Sequence, residues 1–518
     1  MQISADEKLK RLVDYRSHIK RGGGDKRIEE QHAKGKLTAR ERLALLFDDE
    51  TFEELNLFAQ HRTTNFGLDR MEFPSDGVIT GFGKVNGRQV YAYAQDFTVA
   101  GGAAGEVHEK KIAILLDLAA KSRAPVIGIH DSGGARIQEG ALSLSGYGEI
   151  FYRNTLLSGL VPQIAVIAGP CAGGAAYSPV IMDFVFMVDG ISRMFVTGPE
   201  NLKTVTGEEI TAEELGGAKV HAEKSGVCHF LAENEEDCFK NVKKLISYLP
   251  AHNQEKPPHK LPEKYDLAPA DELNELVPSD SYSPYDMKTA IDAICDKDSF
   301  LEILPHYAKN AIIGLARING YVAGIVANQP NENKGYLNGD ASCKATRFIR
   351  FCNCFNIPLI HLVDVPGFIP GIKEEHSGIL RHGAKLLFSL SAATVPKITV
   401  ILRKAYGGTF LAMGSKAMGS DRVIAWHTAE ISVLDAEAAV RILYRKELKE
   451  AENYEEKFRE LVSEYRRTFS NPYSAAGSLL VDDIIEPAHT RKHITLSLEA
   501  FINKEEVRPK KKHGNMPM

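Results

Sequence analysis

Nothing in the 518 residues reads as a membrane span, because no run of about 18 consecutive apolar residues occurs. The start, MQISADEKLK, carries no apolar stretch, so no secretory signal is expected. The seven cysteines (Cys171, Cys228, Cys238, Cys295, Cys343, Cys352 and Cys354) form no CxxC pair, which speaks against a zinc ribbon; no metal site is expected. An odd count without a signal fits a reducing compartment and predicts a cytoplasmic chain. Charge of one sign is not in excess: the net charge is −5, so there is no nucleic-acid footprint. A paired-carboxylate or Ser/His motif of the kind that marks acid–base or nucleophilic catalysis is also missing. What remains is an ordinary soluble composition, 44% hydrophobic and 25% charged, in a chain too long for one core. Two domains of roughly 250 residues are the expectation.

Residues 5–20 and 26–46 are predicted as helices of mixed charge, and 1–50 as a helical arm. Thr38-Ala39-Arg40-Glu41 has the capping-box pattern, and Gly22-Gly23-Gly24 reads as a hinge between the helices. Val78–Gly87 and Val90–Ala94 predict a hairpin turning at Asn86-Gly87. A helix over 106–121, a strand over 126–130, another helix and a strand over 164–168 follow, which is an α/β alternation. Residues 250–262, with four prolines in a polar setting, have the composition of a linker. Residues 435–470 are charged and mostly helical, with Glu452/Glu456 and Glu460/Glu464 on solvated faces; the basic tail around Arg508–Lys512 reads as a solvated end.

After the linker the organisation returns. Asn86-Gly87 recurs as Asn319-Gly320, and Pro125 recurs as Pro358 at the same separation along the chain. APVIGIHD (124–131) aligns with IPLIHLVD (357–364) at that separation too, without a gap. Gly174 and Gly408 match with one residue gained. The chain is therefore read as a duplicated α/β domain. The copies carry matching stretches, AVIAGPCAGGAAYS (165–178) and TVILRKAYGGTFLA (399–412): an apolar strand, a Gly-Gly turn, then a helix start. Such a turn leaves backbone N–H groups free to hold a developing oxyanion.

Asp131-Ser132-Gly133-Gly134-Ala135-Arg136-Ile137-Gln138-Glu139-Gly140, Gly169–Ser178, Thr197-Gly198-Pro199, Val365-Pro366-Gly367-Phe368 and Lys404-Ala405-Tyr406-Gly407-Gly408 resemble signatures of the biotin-dependent acyl-CoA carboxylases. The family is the carboxyltransferase β subunit, and the resemblance runs over nearly the whole chain. It implies two crotonase-like (ClpP/crotonase, ββα-superhelix) domains, placed here at 1–258 and 259–518. It also implies carboxyl transfer between carboxybiotin, held on a separate carrier chain, and the α-carbon of a short-chain acyl-CoA. A ring-like homo-hexamer built from dimers is implied too, with each active site between the N-terminal domain of one protomer and the C-terminal domain of another.

By that pattern Gly173 and Gly174 form one oxyanion hole, and Gly408 and Thr409 the other, the first leaning towards the thioester and the second towards biotin. Substrate- and cofactor-binding positions carried over are Gly133, Gly134, Ala135, Arg136, Tyr177, Gly367, Phe368, Ala405, Tyr406, Gly407 and Leu411. The Gly101–Gly105 turn with Lys110, Lys111 and Arg136 is the candidate for the CoA phosphates. In the family mechanism the base is the biotin N1, so His130, His361 and Cys171 are read as core residues, and Asp131 and Asp364 as loop caps. Leu411 stands where propionyl-preferring members often carry aspartate, which argues for a pocket open to short and medium straight chains. The chain has no Ala-Met-Lys-Met biotinylation site and no Gly-rich ATP pattern, so a biotin carboxylase and a biotin carboxyl carrier are expected as partners. Two alternatives stay open: the carboxyltransferase subunit of a sodium-pumping methylmalonyl-CoA decarboxylase, and a crotonase-type hydratase or isomerase. The latter chemistry usually needs glutamates beside the first turn, and 169–185 contains none.

Overall fold

The computed structural model describes residues 4–262 and 264–518. The chain divides into two compact units, Met1–Glu255 and Lys256–Met518. In the first, three helices (Ala5–Lys20, Asp25–His32 and Ala39–Leu46) precede an eight-stranded mixed sheet. Its strands are β1 (Glu53–Leu55), β2 (Val78–Val85), β3 (Arg88–Gln95), β4 (Val126–Ser132), β5 (Gln163–Ala172), β6 (Phe184–Val188), β7 (Arg193–Phe195) and β8 (Phe230–Ala232). Their order is β1-β2-β3-β4-β5-β6-β8, with β7 on β5. The second unit has β9 (Leu301–Ile303), β10 (Ala311–Ile318), β11 (Tyr321–Asn328), β12 (Leu359–Val365), β13 (Lys397–Tyr406), β14 (Arg422–Trp426), β15 (Glu430–Ser432) and β16 (Asp483–Ile485). Their order is β9-β10-β11-β12-β13-β14-β16, with β15 on β13, which is the same topology.

The duplication is visible element by element. β2 and β10, β3 and β11, β4 and β12, and the helices Glu106–Ser122 and Gly339–Cys354 all start at one constant offset, and β5 and β13 start one position beyond it. Both hairpins turn on Asn-Gly pairs with positive φ at both residues (+52° and +74°, +47° and +81°), the geometry that matches strand twist. The central parallel strands are buried apart from Pro170 and Ala172 at the end of β5, and their middles read as apolar runs. Even a buried lysine recurs. Lys111 donates to Ser75 O, Ser75 Oγ and Val78 O at 2.5–2.8 Å, and its counterpart Lys344 donates to Leu304 O and Tyr307 O at 2.8 Å. Burial pushes each ammonium down to a pKa of about 7.

Three local expectations change. The stretch 26–46 is two helices, because Gly35 (φ +70°) turns the chain between them. Residues 435–470 break into Ala436–Leu443, Arg445–Glu450 and Tyr454–Thr468, the last capped by Asn453. Arg508 is half-buried and bonds Ser391 O, so the basic tail is anchored there while Lys510, Lys511 and Lys512 stay exposed.

Candidate functional site

The two Gly-Gly turns fold alike. β5 ends at Ala172 and Gly173 follows at φ +60°; β13 ends at Tyr406 and Gly407 follows at φ +59°. A left-handed value costs a residue with a side chain about 1–2 kcal/mol, so glycine is what the turn admits. The chain then enters a tight turn at Gly173–Ala176 in one unit and a short helix at Gly407–Ala412 in the other. First-turn N–H groups have no acceptor within their own helix, and no side chain caps either turn. Gly174 is half-buried and Gly408 exposed. A Cβ built on Gly408 would meet nothing within 4 Å. The Thr409 hydroxyl is folded back on Tyr406 O at 2.8 Å, so the backbone N–H is what this residue can present.

A second strap runs beside each turn, and it too is duplicated. Ala104 N donates to Gly134 O at 2.9 Å and Arg136 N to Ala104 O at 2.8 Å. The counterparts in the second unit are Leu337 N to Gly367 O at 3.1 Å and Ile369 N to Leu337 O at 2.8 Å. The strand register shifts at the same point in both sheets, between His130 and Ser132 and between Val363 and Val365, splaying the strand ends where the straps begin. Gly133, Ala135, Gly367 and Phe368 are at least partly accessible on these straps, while Gly134 is buried at φ +101°.

Under the straps lie buried charges. Asp131 is fully buried and receives Lys36 at 2.7 Å, Arg42 at 2.8 Å and Gln31 at 3.0 Å, all from the N-terminal arm. Arg42 also reaches Glu235 at 2.5 Å and Ala168 O at 2.7 Å. Asp364, its counterpart, is met by Arg403 at 2.9 and 3.0 Å and accepts from Lys404 N at 2.9 Å. These aspartates anchor ion pairs, a correction to their reading as loop caps.

Four of the expected binding positions need correction. Arg136 is 2% exposed and spent on Asp76 and Glu139, both at 2.8 Å, with its guanidinium over the Phe73 ring, so it is not offered to a CoA phosphate. Lys111 is equally enclosed by its three oxygens. Ala405 is completely buried inside β13. The Tyr406 hydroxyl donates to Glu430 at 2.5 Å and faces inward. Lys110 stays exposed, paired to Glu149 at 3.4 Å.

Tyr177 and Leu411 are accessible, at 49% and 38%. His130 and His361 are core residues, both lowered to a pKa of about 3 by burial, and Cys171 points its thiol at Ala175 O at 3.2 Å, with burial pushing its pKa up. The sequence reading missed the wall of the first turn. Tyr147 lies 3.3 Å from where a Gly174 Cβ would stand, and Phe151 continues from it to Tyr177 with 6.0 Å between successive rings. A spacing of four between 147 and 151 on one helix was the available signal. Beneath the wall, Glu109 is buried with neither oxygen bonded, and burial pushes it up to about 10, an uncharged acid at neutral pH.

The family model for the carboxyl transferase domain matches residues 30–516. The chain is 52% identical over 518 residues to the methylmalonyl-CoA decarboxylase subunit alpha of Propionigenium modestum, with 100% of both chains covered. It is 50% identical over 516 residues to the propionyl-CoA carboxylase carboxyltransferase subunit of Haloferax mediterranei, again with 100% of each covered. Among solved structures it is similar to the transcarboxylase 12S subunit, a hexamer with methylmalonyl-CoA bound, at a TM-score of 0.98 and 49% identity over 100% of this chain and 99% of that one. With the duplicated turn geometry and end-to-end similarity on one side and the matched domain on the other, the chain belongs to the carboxyl transferase family.

Proposed function

We propose that the protein moves a carboxyl group between carboxybiotin and the α-carbon of a short-chain acyl-CoA such as propionyl-CoA or acetyl-CoA. The observation that carries this reading is the turn built twice, with φ +60° at Gly173 and +59° at Gly407 and open space in front of Gly408. Carboxybiotin, presented by a separate chain, supplies the transferable carboxyl and a ureido oxygen on which charge collects. The protein's part is to hold charge. N–H groups at Gly173 and Gly174 would hold the thioester oxygen as the α-carbon gives up its proton to the biotin N1 from which the carboxyl is lost, and those at Gly408 and Thr409 would hold the ureido oxygen. A preorganised donor of this kind is worth about 3–4 kcal/mol in the transition state. The aromatic wall of Tyr147, Phe151 and Tyr177 flanks the acyl group and keeps water away. For the phosphate end of CoA the corrected candidate is the cleft of about 730 Å³ where the Gly101 turn meets Arg21, Arg27 and Lys34 of the arm.

A homo-hexamer, a trimer of dimers, is part of the proposal. Ile137, Leu142 and Leu144 of the first unit, and Ile372 and Leu380 of the second, are 58–82% exposed, which is expensive on a surface that meets only water. The partners proposed are a biotin carboxylase and a biotin carboxyl carrier, in the cytoplasm; among the described residues no helix is long and apolar enough to cross a membrane.

The similarity to a decarboxylase subunit at 52% identity favours one second reading, the same transfer run from methylmalonyl-CoA towards biotin on a membrane complex. Affinity purification of the tagged chain followed by an avidin blot tests both. A biotinylated polypeptide is expected; with an ATP-dependent biotin carboxylase it supports the first reading, and with membrane subunits the second. Recovery of no biotinylated chain refutes both.

A further inference from the structure

We infer that Cys343 of the second unit is a modification site, a thiol that exchanges with anionic low-molecular-weight disulfides. Of the seven cysteines, five are buried and Cys354 is exposed, whereas Cys343 is half-buried on the helix Gly339–Cys354. It faces two residues of the neighbouring helix Ile379–Ala392. His382 Nδ1 lies 3.2 Å from Cys343 Sγ, and Lys385 Nζ donates to the same sulfur at 3.5 Å. Gly339 makes room for the imidazole, since a Cβ there would stand 2.9 Å from His382 Cδ2.

The two contacts give each group a role. An ammonium can only donate, so Lys385 occupies a lone pair of the sulfur. The thiol hydrogen is left for Nδ1, which puts the ring hydrogen on Nε2. Burial, with Lys385 and Arg381 alongside, lowers the His382 pKa, so the imidazole is uncharged at neutral pH and can accept. A thiol within reach of a base, with a cation to steady the thiolate, is the arrangement that activates a cysteine.

The surroundings select the reaction partner. Arg347 and Arg350 follow Cys343 one and two turns along the same helix face, and both are exposed, as is Arg381. Asp340, the acid close by, sits beside the Tyr307 hydroxyl. This excess of positive charge attracts a disulfide that carries carboxylates. In the exchange the Cys343 proton passes to His382 Nδ1, and the thiolate attacks one sulfur of the incoming disulfide. The old S–S bond breaks as the new one forms, and the departing half leaves as a thiolate that takes up the proton.

The test is timed exposure of the full chain to oxidised glutathione, an anionic disulfide, or to cystamine, a cationic one, with adducts located by peptide mass spectrometry. Cys343 is expected to gain a glutathione unit at least tenfold faster than Cys354, a comparison that needs no variant. Its preference for oxidised glutathione over cystamine should exceed that of N-acetylcysteine at least threefold. His382→Leu and Lys385→Met should each slow Cys343 at least tenfold and leave Cys354 within threefold of the parent, while Lys385→Arg keeps the parent rate within threefold. Equal rates at Cys343 and Cys354, a Cys343 rate indifferent to both His382→Leu and Lys385→Met, or a charge preference no different from that of N-acetylcysteine overturns the assignment.

Discussion

Two neighbouring glycines that look interchangeable in the sequence are expected to behave in opposite ways when changed to alanine. At Gly408 a Cβ meets nothing within 4 Å, and the residue lies in the first turn of the helix Gly407–Ala412. Alanine there costs no contact and gains up to about 1 kcal/mol of helix propensity. The new methyl does enter the space that a ligand oxygen must occupy to reach the turn. If that oxygen carries charge in the transition state, losing its donor costs about 2.7–4 kcal/mol, or 10²–10³ in kcat. At Gly407 the arithmetic reverses. Its φ of +59° penalises a Cβ by about 1–2 kcal/mol, and the Cβ would stand 3.2 Å from Val433 O. Each kcal/mol moves the midpoint of a unit of this size by about 2–4 °C. Gly408→Ala is therefore expected to melt at or slightly above the parent temperature and to lose carboxyl transfer at least a hundredfold, whereas Gly407→Ala melts about 2–8 °C lower. Calorimetry alongside transfer from carboxybiotin to propionyl-CoA reads both quantities. A Gly408→Ala enzyme within threefold of the parent rate would falsify the claim that this turn faces the reacting oxygen.

Further outcomes follow from the same structure. Arg42→Met strips Asp131 and Glu235 of a shared, fully buried partner, and the loss of about 3–5 kcal/mol should lower the melting temperature by about 6–20 °C; a shift under about 2 °C would mean the pairs contribute little. His361 is buried with both ring nitrogens unbonded, and its pKa is lowered to about 3 by burial and by nearby Lys397. Because the unfolded imidazole takes up a proton first, its contribution is intact above about pH 6.5 and is lost as the pH falls towards 3, at about 1.4 kcal/mol per unit. Urea midpoints at pH 7.5 and 5.0 should accordingly diverge less in His361→Leu, by about 2 kcal/mol; equal divergence contradicts the assignment. Leu411→Asp should lower the butyryl-to-propionyl ratio of kcat/KM by about fourfold for each methylene that loses apolar contact, and unchanged ratios across acetyl-, propionyl- and butyryl-CoA rule the position out as a selector.

Much of the fold was legible because duplication writes the same periodicities twice. Asn-Gly pairs, apolar strands and Gly-Gly turns are local signals, and the constant spacing between copies turns weak signals into a joint one. What stayed hidden is set by contacts between distant residues. That Lys36 and Arg42 leave the helical arm to meet Asp131 depends on a partner far along the chain, and the break at Gly35 exists to aim them. Arg136 looked like a phosphate ligand because a motif arginine has no visible partner in sequence; Asp76, well before it on the other side of the hairpin, supplies one. The turns themselves were readable, yet the exposure that distinguishes Gly408 from Gly407 was not, since it depends on where Val433 crosses.

The most direct measurement is carboxyl transfer by the purified chain alone. Incubated with carboxyl-labelled methylmalonyl-CoA, it is expected to form propionyl-CoA only when free biotin is added, with loss of the label from the thioester in equal amount. Propionyl-CoA formed at the same rate without biotin, or none formed with it, would contradict the reading of the two turns as a pair of anion cradles serving one transfer.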